Sequence, residues 1–296
     1  MEGMATSSDK SITLVLFRGP HFPASHNYAK GYLQNYPSIK GLCFFLSMHS
    51  LYASYGTSEQ MIASGVDIDA LTNCAIKAAR IPGDVSGNAA SCAELSIYLM
   101  LGLLRKQIEQ KKLGVPTGET LLGKTVFISG FGNIGVELAK LLRPFGVKII
   151  AAKRSWASHS QQKKKDDDDL VDENGCREDI FGFASKADVA GIVSKSLLSS
   201  MEKGSLLVNI VRGGLLDYEA VAHYLESGHL GGLGLDVVWT EPFDPNNPIL
   251  KFQSVLITPH VGGVTEHSYR STAKVVGDVA LQLHAGTPLR GIEPVN

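Results

Sequence analysis

The stretch from Lys124 to Ala152 limits the possible folds more than any other part of the chain. TVFIS, residues 125–129, runs into GFGNIG at 130–135, then VELAKLLRPFG and VKIIAA, which ends at 152. A β-branched strand, a glycine turn, a helix and a second strand follow one another without interruption. Alternation of this kind predicts a parallel sheet with right-handed crossovers. Further strands are expected at LLVNIV, GLGLDVV and VLITP, with a helix over DYEAVAHYLESG that ends at Gly228. The expected class is therefore α/β, with a doubly wound parallel sheet of the Rossmann type.

Gly130, Gly132 and Gly135 form G-x-G-x-x-G. The pattern alone is common in a chain with 31 glycines, but here it follows a strand and opens a helix, as dinucleotide binding requires. Gly130 permits the tight turn, and Gly132 lets the backbone approach a pyrophosphate. Gly135 permits close helix–strand packing, while Asn133 and Ile134 open the helix whose N-terminus stabilises phosphate charge. The second strand runs into Lys153, Arg154 and Ser155, where an acidic residue would hold a ribose 2′-hydroxyl. Two cations attract a 2′-phosphate, so NADP is favoured over NAD. The alternative is that they are surface cations before a charged loop.

Length and composition narrow the rest. The chain has 296 residues, 44% of them hydrophobic and 19% charged, which suits about two globular domains. A net charge of -1 argues against nucleic-acid binding driven by global charge. No apolar run approaches the roughly 20 residues that span a bilayer. Cys43, Cys74, Cys92 and Cys176 form no C-x-x-C pair and have no zinc-ligand spacing, so no metal is expected and reduced thiols in the cytoplasm are the default. The KKKDDDD run at 163–169 reads as part of a solvated polar loop over 156–178.

In the first half, a strand is expected at 12–17 and a short one at 77–81. The clearest helix follows, AASCAELSIYLMLGLLRKQIEQKKL, capped by Asn88 or Ser91 and with cations near its end. Its length suggests a connector between two domains. A last helix is expected over about 265–285.

Three polar side chains stand at or just past the carboxyl ends of expected strands: Arg212 after LLVNIV, Glu241 beyond GLGLDVV, and His260 after VLITP. Open α/β sheets bind ligands at that edge. An imidazole beside a carboxylate and a guanidinium makes a coherent acid/base and anion-binding set.

Taken together, these motifs make the sequence resemble the D-isomer-specific 2-hydroxyacid dehydrogenases. GNAASCAE, GKTVFISGFGNIG, LVNIVRGGLLD, GLDVVWTEP and ITPHVGG carry the resemblance, which covers about residues 77 to 296. It implies an oxidoreductase that moves a hydride between NAD(P)H and a small 2-oxo or 2-hydroxy acid. His260 would exchange the proton, Glu241 would orient the imidazole and favour its protonated form, and Arg212 would bind the substrate carboxylate. Asp236 would bond the nicotinamide carboxamide, with Val211 and Gly262 also against the cofactor. The resemblance further implies a homodimer and a smaller flavodoxin-like substrate domain. That domain would comprise 1–116 with 265–296, and the dinucleotide-binding domain 117–264.

Three departures from the family pattern stand out. The first-domain substrate loop is scrambled, which leaves Ser64 and Gly65 as substrate candidates. The connecting helix looks about two turns short near LLRKQIEQKK. The segment KADVAGIVSKS looks as if it lacks a strand after Asp188, which would leave a gap in the sheet. The alternative function is therefore a catalytically impaired dinucleotide-binding or interaction protein of the same family.

Overall fold

The computed structural model describes residues 15–18, 28, 31, 34, 42–45, 68–73, 78–109, 116–154, 156, 170–191 and 195–296. The chain divides into two compact units, Met1–Gly87 with Glu266–Asn296, and Asn88–Thr265. Among the described residues, no helix is long and apolar enough to cross a membrane.

The first unit opens with β1 (Val15–Arg18) and β2 (Leu42–Phe45), paired in parallel, Val15 opposite Leu42. A short helix α1 (Ile68–Asn73) and the two-residue strand β3 (Ala79–Arg80) follow.

The second unit begins with α2 (Asn88–Leu104). It ends earlier than its sequence suggests, and no cation lies in its last turn. Lys106 takes φ 51°, and the N–H groups of Lys106 and Gln107 donate to the carbonyls of Leu103 and Gly102. This is a Schellman stop built on lysine instead of glycine, so the composition gives no warning of it. Helix α2 packs on the sheet of the second unit: a Cβ on Gly234 would lie 3.1 Å from the Cβ of Leu99, and one on Gly232 would lie 3.3 Å from Leu103.

The sheet strands are β4 (Thr125–Ser129), β5 (Lys148–Ala152), β6 (Glu173–Gly175), β7 (Val189–Gly191), β8 (Ser205–Asn209), β9 (Leu230–Leu235) and β10 (Val255–Ile257). All pair in parallel, in the order β10-β9-β8-β7-β4-β5-β6. The winding reverses between β4 and β7, the point at which doubly wound sheets open a ligand crevice. Between the strands lie α3 (Asn133–Leu142), α4 (Ile180–Ala184), α5 (Lys195–Leu198) and α6 (Tyr218–Glu226). Strand alternation sorts the core into two layers. Phe127, Ile150 and Leu207 pack with α4 to α6, while Val126, Ile128, Ile149 and Val208 pack with α2 and α3.

The sheet departs from the sequence-based expectation in two places. The loop over 156–178 contains β6, an edge strand whose ENG sequence carries no apolar signal; it is held by pairing with β5. The expected gap beside Asp188 does not exist either. Strand β7 bridges β4 and β8, with Val189 opposite both Val126 and Leu206. The Asp188 carboxylate accepts from the Thr125 N–H at 2.8 Å, and its backbone exchanges bonds with Thr125 and Leu206. Three residues are enough for this strand because β8 pairs with all three of them and β4 with Val189 and Ala190.

The chain then returns to the first unit through α7 (Glu266–Ala285) and β11 (Glu293–Pro294), which pairs antiparallel with β3. Arg80 pairs with Glu293 across that ladder. The Tyr28 hydroxyl donates to Glu266 at 2.7 Å, and the Arg270 guanidinium lies 4.8 Å from the Tyr28 ring centre.

Candidate active site

The glycine turn lies at the carboxyl end of β4. The N–H groups of Gly130 and Phe131 both donate to the Ala152 carbonyl, at 3.0 and 3.1 Å, which ties the turn to β5. Gly130 takes φ 104°. A Cβ on Gly135 would lie 2.8 Å from the Gly130 carbonyl oxygen, so only glycine lets α3 approach this closely. A Cβ on Gly132 would meet nothing within 4 Å, so the turn is open on that side. Gly132 caps α3 with no side-chain bond to the first-turn amides. The N–H groups at Asn133, Ile134 and Gly135 therefore form a donor cluster of the kind that binds phosphate. The geometry fits a dinucleotide pyrophosphate.

Lys153 and Arg154 are exposed immediately after β5. The Lys153 ammonium lies 5.9 Å from the Trp156 ring centre. Trp156 stacks on Phe131 at 5.5 Å and donates to the Gly175 carbonyl at 2.6 Å, closing the sheet face beside the turn. Ser155 lies outside the described residues, as do Ser64 and Gly65.

At the carboxyl ends of β8 to β10 the site is made of side chains. His260 Nδ1 lies 3.0 and 3.1 Å from the two Glu241 carboxylate oxygens. A carboxylate only accepts, so Nδ1 donates and Nε2 is left to exchange a proton with a ligand. The His260 and Glu241 side chains are 50% and 35% exposed, so the pair is open enough to meet a small molecule.

His260 itself has φ 55°, in the left-handed region. Such strain persists only when the surroundings fix it. Here Asp236, 2% exposed, does so. Its carboxylate accepts from the Thr258 hydroxyl at 2.7 Å and from the Val261 and Gly262 N–H groups, both at 2.8 Å, on either side of His260. On the α2 side, Ser91 and Thr265 hydroxyls meet at 2.7 Å. Cys92 faces the same carboxylate, and burial first, then the Asp236 charge, push its thiol up to about 11. It stays a protonated, inert core group.

Arg212 follows Asn209, which is fully buried. The Asn209 amide donates to the Arg212 carbonyl at 2.8 Å and accepts from the Val211 N–H at 3.0 Å, so it sets the turn that presents the guanidinium. The Arg212 side chain also reaches back to the Val211 carbonyl at 2.6 Å. A Cβ on Gly213 would fall 2.0 Å from the Val238 carbonyl oxygen, so the Arg212 turn lies directly on the backbone leading to Glu241.

The structure thus bonds Glu241 to His260, places Asp236 under the His260 loop and rests the Arg212 turn against the Glu241 segment. Asn209, Thr258 and Trp239 were not singled out from the sequence. Asn209 had one legible signal, a lone amide inside the apolar run LLVNIV.

A doubly wound sheet with a glycine turn at its switch point defines a dinucleotide-binding domain, and a His–Glu pair stands on the same sheet edge. The family model for the D-isomer specific 2-hydroxyacid dehydrogenase NAD binding domain matches residues 96–262, more than half of the chain. The chain belongs to that family. It is 32% identical over 216 residues to a hydroxypyruvate reductase from Thermotoga maritima, covering 69% of each chain. It is 29% identical over 245 residues to the D-3-phosphoglycerate dehydrogenase of Archaeoglobus fulgidus, covering 76% of this chain but only 44% of that protein. The chain thus spans less than half of that relative. In fold it resembles the NAD-complexed D-isomer specific 2-hydroxyacid dehydrogenase of Lactobacillus delbrueckii ssp. bulgaricus, with TM-score 0.70 at 18% identity over 95% of this chain and 99% of that one.

Proposed function

We propose that the protein is an NAD(P)H-dependent reductase of small 2-oxo acids, working reversibly on the matching 2-hydroxy acids. The observation that carries this reading is the His260–Glu241 bond at the same sheet edge as the open glycine turn. When bound, the dinucleotide supplies the hydride. The first-turn amides of α3 would hold its pyrophosphate, with Val211, Asp236 and Gly262 lining the nicotinamide end.

The protein's own groups do the rest. Arg212 binds the substrate carboxylate and polarises the carbonyl. His260 delivers its Nε2 proton to the carbonyl oxygen, and Glu241 holds the ring by Nδ1. The reading favours NADP over NAD, supported by Lys153 and Arg154 at the end of β5. The substrate domain on this reading is 1–116 with 265–296, and the dinucleotide domain 117–264. Free Cys92 and Cys176 support a reducing, cytoplasmic setting, and the family resemblance supports a homodimer.

The continuous sheet at β7 weighs against the impaired alternative. The test is glyoxylate and hydroxypyruvate reduction with NADPH by wild type and His260→Ala. Removing the acid is expected to lower kcat by about 10²- to 10⁴-fold, with NADPH affinity retained. Equal rates in the two proteins would refute the role given to His260.

A further inference from the structure

Trp239 lies two residues before Glu241, and no motif assigns it a task. Three observations give it one. Its indole Nε1 donates to the Leu216 carbonyl at 2.7 Å. Leu216 closes the short 3-10 turn Gly213–Leu215 that begins directly after Arg212. Its ring meets Tyr218 edge-on at 4.9 Å and 82°. The Tyr218 hydroxyl in turn donates at 2.9 Å to Asn247, which caps the turn Pro248–Lys251. Finally, the Val238 peptide touches both partners. Its carbonyl abuts Gly213, and its N–H faces the Glu241 carboxylate at 3.5 Å.

We propose that Trp239 is a positioning residue: it fastens the Arg212 turn to the backbone that carries Glu241. It thereby sets the separation between the carboxylate-binding guanidinium and the proton-exchanging His260–Glu241 pair. Without the indole bond, the Leu216 carbonyl loses its side-chain donor, and the turn, its start still set by Asn209, keeps the backbone contact at Gly213 as its tie to the Glu241 segment. Substrate capture should suffer first, because the His260 loop is held separately, by Asp236.

The inference rests on the 2-oxo acid reductase reading, so its test separates the two. Wild type, Trp239→Phe and Trp239→Leu are compared for glyoxylate reduction, for equilibrium binding of oxamate to the NADPH complex, and for melting. Losing one hydrogen bond should raise the glyoxylate KM and the oxamate Kd about fivefold in Trp239→Phe. Trp239→Leu, which also loses the Tyr218 contact, should show roughly tenfold or more. The NADPH KM and the pH profile should hold in both variants. A lower melting temperature with unchanged KM and oxamate Kd would make Trp239 mere packing and overturn the inference. A shifted pH profile would overturn it too, because the residue would then act through His260. Should Trp239→Leu not fold, Trp239→Phe decides. A wild type that neither reduces glyoxylate nor binds oxamate would instead sink the functional reading, and the inference with it.

Discussion

The two halves of the parallel sheet build their parts of the site by opposite means. On the β4–β5 side the working groups are backbone amides, placed by glycines at 130, 132 and 135 and by a helix N-terminus. On the β8–β10 side they are three side chains drawn from separate strand ends: buried Asn209 sets the Arg212 turn, buried Asp236 holds the His260 loop, and Glu241 is bonded to His260 itself. Backbone sites depend on what is absent from a position. Side-chain sites depend on a shell of partners that no short motif records.

The contrast predicts opposite lesions. His260→Ala should lower kcat by about 10²- to 10⁴-fold and spare cofactor binding, the largest effect expected. Gly135→Val should strike cofactor binding instead. Its added carbons collide with the Gly130 carbonyl and the Ile128 side chain, 2.8 and 3.2 Å from the new Cβ. We expect about 1–3 kcal/mol of destabilisation, together with a clear loss of NADPH affinity, read by calorimetry and thermal melting. A Gly135→Val protein with native cofactor affinity would break the comparison.

This division also decided what the sequence could reveal. The β4–α3–β5 segment was legible because its signals are local: period, glycine turn and helix start lie within one stretch. Arg212, Glu241 and His260 were legible as polar residues after apolar strands, and their ordering carried the family resemblance. Their supports were not, since Asp236 meets Thr258, Val261 and Gly262 across more than 20 residues of chain. Strand β7 was missed because three residues hardly register as a run, although Val189 and Ala190 are wholly buried. The end of α2 was missed because a lysine, Lys106, occupies the left-handed position that usually announces itself as glycine.

A smaller effect sharpens the β4–β5 side. Replacing Lys153 and Arg154 together by alanine should raise the NADPH KM about tenfold, as removal of two cations near a phosphate implies, and leave the NADH KM nearly unchanged. Equal changes for both cofactors would remove the NADP preference.

The smallest effect concerns the sheet edge. Burial of Asp172 would raise its carboxyl, but the Ile149 N–H at 2.7 Å and Arg143 at 2.8 Å outweigh it and hold the group below the usual aspartate range. Its stabilisation is therefore complete above the ordinary aspartate range and is lost as pH falls through the lowered value. The side chain is 37% exposed, so solvent screening keeps the contribution under about 1 kcal/mol. Acid melts of wild type should lose stability more than those of Asp172→Asn over that window. His260 chemistry should be untouched by the substitution.

On the proposed reading, the side-chain half of the edge reduces a carbonyl with hydride held by the backbone half. NADPH deuterated at the transferring C4 position, incubated with glyoxylate and the protein, tests this most directly by mass spectrometry of the product. Wild type should form glycolate carrying one deuterium at C2, and His260→Ala should form only a trace of the same labelled product in the same time. Unlabelled glycolate, or equal amounts of labelled glycolate from the two proteins, would refute the division of labour.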